Sequence, residues 1–329
     1  MNTINTVPPP PPGAQPRPAP ALLSLVVPCY NEEAVLARFH EVARRETAQL
    51  GCEIELVLVD DGSTDDTLGV LRKLAAEDPA VRFVSFSRNF GKEAAMLAGL
   101  REARGDAVIL LDADLQHPPE LIRQMLDLHR QGYDQVIARR DRTGDRFTRT
   151  LLSKAYYRLI NKWVDIELQD GAGDFRLLSR RAVDSLLLMG EYNRFSKGLF
   201  AWIGFDGVSF RYRNAARGAG QSAWTLRKLV NYGFDGLISF NNRPLRLAVY
   251  TGFALTAVAV GYMFWIIGAA AISGVQSPGY VTIIAAIIGL GGLQMMLLGV
   301  IGEYIGRIYY EVKRRPHYLL KERSPDLED

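Results

Sequence analysis

Cysteine is scarce in this chain of 329 residues, which contains only Cys29 and Cys52. So few cysteines provide no disulfide framework, the device that small secreted domains use in place of a large core. Both cysteines lie within or beside short apolar runs of strand length. We therefore expect buried, free thiols in a protein of a reducing compartment.

Two common nucleotide-binding motifs are also absent. No Gly-x-Gly-x-x-Gly follows the first predicted strand, and the sequence contains no P-loop. The sequence therefore argues against a dinucleotide-dependent oxidoreductase and against a P-loop NTPase. The formal net charge of +3 at pH 7 is small, so we predict no general affinity for nucleic acid.

Residues 1–20 are rich in proline and lack the apolar core of a signal peptide. Such a composition predicts a disordered or polyproline II tail. Without a secretory signal, the soluble part of the protein is expected to stay in the cytosol.

No charged residue and no histidine occurs in the 56 residues from Leu247 to Gly302. A membrane helix needs about 20 apolar residues, so this length accommodates two. We predict a transmembrane hairpin over 245–306, with spans at about 247–272 and 280–301. A buried helical hairpin in a soluble protein is the alternative.

Basic residues flank the uncharged segment at both ends. Arg243 and Arg246 precede it, and Arg307 and Lys313 follow it. Because positive flanks favour the cytoplasmic side, both ends of the hairpin are expected there. The prediction is a two-span protein of a bacterial inner membrane, with its catalytic domain and both termini cytoplasmic and a tail at 307–329.

Apolar runs of strand length alternate with helical segments through the first part of the chain. The predicted strands cover 22–27, 53–59, 81–86, 107–111 and 133–138. This alternation predicts an α/β fold, a mostly parallel sheet with helices on both faces. Polar clusters follow the strands, at the sheet edge where such folds bind ligands.

The segment from Asp112 to Glu120 is the most informative of these clusters. Asp112 and Asp114 directly follow the buried run at 107–111, and Pro118 begins a turn suited to a helix start. Two carboxylates one residue apart can bind a hard divalent cation that keeps positions open for phosphate oxygens. Asp-x-Asp also occurs by chance in loops. The prediction of a metal site therefore depends on the position of these aspartates at the end of a buried strand.

Two further segments point to a lipid surface. Residues 139–165 are strongly basic and carry an apolar stripe at helical spacing, which is typical of a helix at a membrane surface. A helix packed on the sheet with a solvated basic edge explains the same pattern. Residues 224–244 form a juxtamembrane amphipathic segment rich in Trp, Tyr and Phe, suited to the interface.

Six motifs occur in one order along the chain. They are Val26–Glu33, Val59–Thr67, Ser87–Ala95, Asp112–Pro118, Asp174–Leu178 and Arg217–Ser222. Together they resemble glycosyltransferase family 2, and within it the polyprenyl-phosphate glycosyltransferases related to dolichyl-phosphate mannose synthase and the bactoprenol glucosyltransferases. The resemblance implies a GT-A-type, Rossmann-like nucleotide-sugar domain over 21–223.

The resemblance also implies a nucleotide site. The pocket for the base and ribose is expected to be lined by Pro28, Tyr30, Glu32 and Asp60. Arg217 is expected to contact the donor diphosphate. A carboxylate there can accept from a base N–H or a ribose hydroxyl. Capping of the next helix is the alternative role for Asp60, although Ser63 or Thr64 can cap instead and leave Asp60 free.

The resemblance implies that Mg²⁺ or Mn²⁺ is bound by Asp112, Asp114 and Gln116. It also implies that Asp112 contacts the nucleotide and that Asp114 is catalytic. His117 is interpreted as a structural turn residue. Asp174 belongs to the motif that the family places at the reacting centre, where it orients the acceptor or acts as a base. Stabilisation of the glycine-rich turn around it is the alternative.

Arg140, Arg149 and Ser153 are the implied contacts of the acceptor phosphate. We expect a metal-dependent, inverting transfer of one sugar from a nucleotide sugar, with UDP-glucose the first choice, to polyprenyl phosphate at the cytosolic membrane face. The same resemblance implies a homo-oligomer, with a tetramer as the first expectation. The alternatives are a non-catalytic nucleotide-sugar-binding membrane scaffold and a processive polysaccharide synthase.

Overall fold

The computed structural model describes residues 15–115, 117–140, 172–212, 243–273 and 279–325. Its strands are β1 (Leu22–Cys29), β2 (Glu53–Asp60), β3 (Val81–Phe86), β4 (Ala107–Leu110), β5 (Gln135–Arg140), β6 (Ala172–Ser179), β7 (Gly207–Tyr212) and β8 (Leu320–Arg323). Its helices are α1 (Glu33–Thr47), α2 (Thr67–Glu77), α3 (Lys92–Glu102), α4 (Leu121–Arg130), α5 (Arg180–Leu187), α6 (Ser196–Trp202), α7 (Arg243–Ser273) and α8 (Tyr280–Lys313).

The described strands form one sheet in the order β7-β5-β6-β4-β1-β2-β3-β8. The central strands β3, β2, β1 and β4 are parallel, with Leu25 of β1 opposite Leu56 on one side and Ile109 on the other. Strand β6 runs antiparallel between β4 and β5, and β7 is parallel to β5. The predicted α/β fold with a mostly parallel sheet is confirmed.

Both faces of the sheet are buried, as the continuous apolar runs of its strands require. Leu25 and its neighbours on one face pack with Phe39 of α1 and Met125 of α4. Val26, which points to the other face, packs with α3 and α5, including Met96. This layering fixes the central strands and therefore the positions of the loops at their carboxyl ends.

The last residues of the proline-rich segment are attached to the domain. Residues 15–20 belong to no helix or strand, and the guanidinium of Arg17 contacts the buried carboxylate of Asp134 at 2.8 Å. The Arg17 backbone N–H also donates to the carbonyl of Arg130. The tail predicted for 1–20, disordered or polyproline II, is thus attached to the domain at Arg17. Residues 1–14 lie outside the described ranges, and the prediction is not tested there.

The end of the chain also belongs to the sheet. Strand β8 pairs antiparallel with β3, and Ser324 adds a backbone hydrogen bond to Phe83. The ring of Tyr318 stacks on Phe86 at a centroid distance of 4.7 Å. The tail predicted at 307–329 thus contains an edge strand of the domain, formed by contacts with residues more than 200 positions away.

The predicted spans at 247–272 and 280–301 fall within α7 and α8, which contact each other. Helix α8 continues beyond residue 301, where Arg307 pairs with Glu303 one turn earlier at 3.4 Å and supports the helix. Across the described ranges, no helix combines the length and apolarity required to cross a membrane. The two spans stay a prediction.

Candidate active site

The polar segments that follow β1, β2 and β4 lie next to one another. These three strands are parallel neighbours, so their carboxyl ends meet at one edge of the sheet. Cys29 of β1 is paired with Asp60 of β2, and Leu111 donates its N–H to Val26 of β1 just before Asp112. The topology therefore gathers three of the sequence motifs around one cleft, as expected for an open α/β sheet.

Hydrogen bonds connect the first two motifs. Asn31 has a φ of 56°, and its side-chain oxygen accepts from the N–H of Thr64 at 2.9 Å. The Asn31 N–H donates to Ser63, and the Glu32 N–H donates to the hydroxyl of Thr67, each at 2.9 Å. Asparagine tolerates this left-handed conformation better than most residues. The contacts position Glu32 at the start of α1.

Asp60 is almost fully buried, at 2% exposure. Its carboxylate is already engaged in hydrogen bonds within the domain, so it is not free in the sense that the sequence suggested. Its carboxylate accepts from the N–H of Ser63 at 2.9 Å and from the hydroxyl of Ser85 at 2.6 Å. A carboxylate can accept more hydrogen bonds than these two. A contact between Asp60 and the nucleotide is therefore still possible in chemical terms and stays a prediction. A polar cleft of about 260 Å³ beside this turn is lined by Asp60, Ser63, Arg72 and Lys321, among others.

Asp112 is held by two cationic or hydrogen-bonding side chains. Lys92 approaches one carboxylate oxygen at 2.6 Å, and His117 approaches the other at 3.3 Å. Burial acts to raise the pKa of Asp112, but the hydrogen bond with His117 and the charge of Lys92 outweigh it and hold the pKa well below its usual range. Asp112 is therefore ionised at neutral pH.

His117 is fixed in turn by its surroundings. Its other ring nitrogen hydrogen-bonds the hydroxyl of Tyr212 at 2.9 Å, and its ring lies 5.0 Å from the ring of Phe175. The histidine thus joins β7 and β6 to the loop after β4. The interpretation of His117 as a structural residue agrees with these contacts, which also orient Asp112.

The ammonium of Lys92 joins Asp112 to Asp174, which it contacts at 2.8 Å. Burial acts to raise the pKa of Asp174, but the charges of Lys92 and Lys197 outweigh it and lower the pKa. The same ion pairs raise the pKa of Lys92, although burial opposes this. All three groups are therefore charged at neutral pH, and Asp174 is a weak proton acceptor.

Negative charge accumulates on the other side of Asp112. Burial, followed by the charges of Asp114 and Asp112, raises the pKa of Glu32 to about 6. Carboxylates that repel one another in this way form an oxygen donor set suited to a hard divalent cation. Within the described ranges no group of three or more His, Cys, Asp or Glu side chains could hold a metal ion. Asp112 and Asp114 supply carboxylate oxygens of the kind that such a cation prefers, and their binding of a metal stays a prediction.

Comparison with known proteins gives the family. Residues 24–187 match the family described as glycosyl transferase family 2, and residues 243–308 match the GtrB C-terminal hairpin. CsbB of Bacillus subtilis strain 168, which carries a glycosyltransferase name, is 51% identical over 92% of each chain. The chain belongs to glycosyltransferase family 2. The enzyme is accordingly a glycosyltransferase.

Other family 2 relatives are more specifically named. A prophage bactoprenol glucosyl transferase homolog of Escherichia coli K12 is 41% identical, covering 91% of this chain and 98% of its own. The bactoprenol glucosyl transferase of Shigella phage SfII is 40% identical, covering 91% and 97%. The mannosyltransferase PcManGT of Pyrobaculum calidifontis is similar in structure, with a TM-score of 0.44, 16% identity and coverage of 92% and 89%.

The structure brings only some of the predicted glycosyltransferase residues together. Asp112 is joined to Asp174 through Lys92 and lies close enough to Glu32 for their charges to interact. Asp60 lines the polar cleft of about 260 Å³, and Tyr30 is 45% exposed. Pro28 lies in β1 opposite Val59, and Arg140 ends β5. The remaining site residues lie outside the described ranges: Gln116, Arg149, Ser153 and Arg217.

Sequence reasoning missed Lys92 as a site residue. A usable signal was present, since Lys92 is the first residue of α3 and follows the carboxyl end of β3. A cation in the first turn opposes the helix dipole, which suggests a role outside the helix. Lys197 was not predicted either, because it lies in α6, which contains none of the six family motifs.

Proposed function

We propose that this glycosyltransferase transfers one sugar from a nucleotide-diphosphate sugar to polyprenyl phosphate. The observation that carries the proposal is the strand-end cleft in which Asp112, fixed by Lys92 and His117, lies beside Asp114 and Glu32. The bactoprenol glucosyl transferase names of the relatives support the lipid acceptor and make UDP-glucose the first donor to test.

Asp112 and Asp114, with Gln116, would hold Mg²⁺ or Mn²⁺ together with the donor diphosphate. When bound there, such a cation would neutralise charge that develops on the leaving diphosphate. The chain's own contribution is orientation: His117 and Lys92 each hold one oxygen of Asp112. Such an arrangement reduces the reorganisation needed when donor binds.

The acceptor needs little help from a general base. A phosphate monoester has its second pKa near about 6 and is mostly a dianion at neutral pH. Its oxygen can therefore attack the anomeric carbon once it is positioned by cationic groups. This agrees with an Asp174 that is ion-paired with Lys92. Arg140, Arg149 and Ser153 remain the proposed contacts of the acceptor phosphate, and Arg217 that of the donor.

We propose that the α7–α8 hairpin associates with the membrane that contains the acceptor. Large apolar side chains are exposed along both helices, among them Phe253 at 72%, Trp265 at 65% and Met295 at 70%. Contiguous exposed apolar surface favours a lipid or protein partner. Because β8 returns to β3, the chain after α8 lies on the side of the catalytic domain, which supports cytoplasmic placement of both.

Nucleotide release tests the function directly. Purified enzyme in detergent is incubated with Mn²⁺ or Mg²⁺, short-chain polyprenyl phosphate and a panel of UDP- and GDP-sugars, beside an Asp114→Ala variant. The proposal expects release with one donor, dependent on lipid and abolished in the variant. Saturable donor binding without release from any donor would favour the non-catalytic scaffold, and repeated sugar addition would favour a processive synthase.

A further inference from the structure

The ammonium of Lys92 connects three separate parts of the fold. Lys92 begins α3, while its partners Asp112 and Asp174 belong to the loop after β4 and to β6. The contact distances of 2.6 and 2.8 Å are those of charge-assisted hydrogen bonds. The bridge thus joins the proposed metal-binding loop to the motif whose aspartate was expected to act on the acceptor.

Lys92 is more exposed than either of its partners. Its side chain is 43% exposed, against 30% for Asp112 and 21% for Asp174. An ammonium has three N–H donors, and the two carboxylates use two of them in the described residues. The third donor and the exposed surface of the ammonium remain for an anionic oxygen in the cleft.

Helix stability does not explain this lysine. A cation at a helix N-terminus is disfavoured by the helix dipole, and Lys92 is the first residue of α3. The next residue, Glu93, is acidic, and the helix dipole favours acidic residues in the first turn. Its carboxylate accepts a hydrogen bond from the N–H of Ser196 at 3.1 Å. The lysine is therefore explained by its partners in the cleft rather than by α3.

We propose that Lys92 binds a phosphate oxygen of the substrates, and that Asp174 is a positioning residue that holds Lys92 for this contact. The proposal deepens the proposed function and rests on it. The ligand chemistry is a phosphate oxygen, supplied by the donor diphosphate or by the acceptor phosphate. In either case Asp174 acts through Lys92, which it contacts at 2.8 Å, and not as a base.

Affinity measurements separate the two phosphate sources. Full-length enzyme in detergent is titrated with UDP and GDP in the presence of Mn²⁺, and the KM for short-chain polyprenyl phosphate is measured in the same preparation. The variants are Lys92→Met, which removes the charge at similar length, and Lys92→Arg, which keeps it. Lys73→Met is the matched control, because Lys73 is 74% exposed on α2.

Loss of one charge-assisted hydrogen bond corresponds to about a tenfold loss of affinity or more. A tenfold weaker nucleotide affinity in Lys92→Met, partly restored in Lys92→Arg, assigns the contact to the donor. An unchanged nucleotide affinity with a tenfold higher KM for lipid assigns it to the acceptor. If Lys92→Met changes neither quantity in a protein that keeps its Tm within a few degrees, the proposal is overturned.

A double-mutant cycle tests the role of Asp174. If Asp174 acts through Lys92, Asp174→Asn weakens the same affinity, and adding it to Lys92→Met produces no further loss. The acidic limb of the kcat–pH profile then stays where it is in the wild type. Multiplicative losses in the double variant, or an acidic limb that disappears in Asp174→Asn, would overturn the positioning role and identify a base.

The outcome is distinguishable from failure of the proposed function. Wild-type enzyme that binds UDP or GDP but releases no nucleotide from any donor contradicts the transferase proposal, while the Lys92 contact is still judged by the affinity of its variants. Wild-type enzyme that binds neither nucleotide nor polyprenyl phosphate overturns both.

Discussion

The backbone N–H of Tyr192 donates a hydrogen bond of 2.8 Å to the carboxylate of Glu311, in the last turns of α8. The Tyr192 ring also stacks on Tyr310 at 5.6 Å and on His317 at 5.8 Å between centroids. Tyr192 lies just before α6, the helix that contains Lys197. The proposed membrane hairpin is thereby attached to an element whose charge acts on Asp174.

Tyr192→Ala removes both ring contacts and is expected to loosen this attachment. If the hairpin presents lipid to the cleft, the KM for polyprenyl phosphate should rise several-fold, while affinity for soluble nucleotide stays unchanged. Steady-state kinetics and nucleotide titration provide the two values. Leu188→Ala, at a side chain that is 87% exposed, is the control. Equal effects of the two substitutions on the lipid KM would refute a specific role for the Tyr192 contact.

Tyr318→Ala tests the attachment of β8. The substitution removes a ring that stacks on Phe86 at 4.7 Å and lies beneath the guanidinium of Arg101 at 5.7 Å. We expect the free energy of unfolding to fall by about 2 kcal/mol, as measured by denaturant titration in detergent. Leu319→Ala, at an adjacent side chain that is 54% exposed, should change it by less than about 0.5 kcal/mol.

Gly62→Ala should be among the most damaging single changes in the cleft. Gly62 has a φ of +63°, and a Cβ there would overlap the backbone of Arg88 and Asn89. We expect a loss of about 3 kcal/mol or more of stability. Gly51 has a similar φ of +72° with nothing within 4 Å of its Cβ, so Gly51→Ala should cost only about 1 kcal/mol. Similar losses would mean that the close approach to Arg88 is unimportant.

The pH dependence of stability should report on Glu32. Burial and the nearby charges of Asp114 and Asp112 raise its pKa to about 6 from 4.5. A raised folded-state pKa contributes stability below 4.5 that is lost as the pH rises through about 6. In metal-free enzyme, Glu32→Gln should therefore be more stable than wild type at pH 8 by about 1 kcal/mol after solvent screening, and not at pH 4.

Thermal unfolding at the two pH values measures this difference. Glu41→Gln, at an exposed position of α1, controls for the loss of one carboxylate from the surface. Mn²⁺ with UDP should reduce the advantage of Glu32→Gln, because a cation stabilises the ionised carboxylate of the wild type. A difference between Glu32→Gln and wild type that is the same at pH 4 and pH 8 would contradict the electrostatic account.

Local pattern was sufficient to predict the central strands and the position of Asp112. The run 107–111 is continuously apolar, and 22–27 is apolar except for Ser24, because both faces of the parallel sheet are covered. This signal is visible without tertiary information. Asp112 directly follows one such run, so the strand-end rule placed it in the cleft. Burial was predicted for both free thiols. It is confirmed for Cys29, whereas Cys52 is only partly buried.

Contacts between distant residues could not be predicted in this way. Strand β8 is short, contains alternating charges, and becomes a strand only because β3 offers an unpaired edge. Arg17 lies in a proline-rich segment, and only the fold brings it to the buried carboxylate of Asp134. The bridge through Lys92 likewise depends on three elements that are far apart in sequence.

Formation of a lipid-linked sugar is the most direct test of the account. Membranes containing the wild type, Asp112→Asn or the surface control Asp127→Asn, whose side chain is 59% exposed, are incubated with labelled UDP-glucose, Mn²⁺ and polyprenyl phosphate. The account predicts a labelled lipid product with the wild type and the control, and a loss of about 100-fold or more with Asp112→Asn. Equal product from Asp112→Asn and the wild type would contradict the assignment of this cleft as the active site.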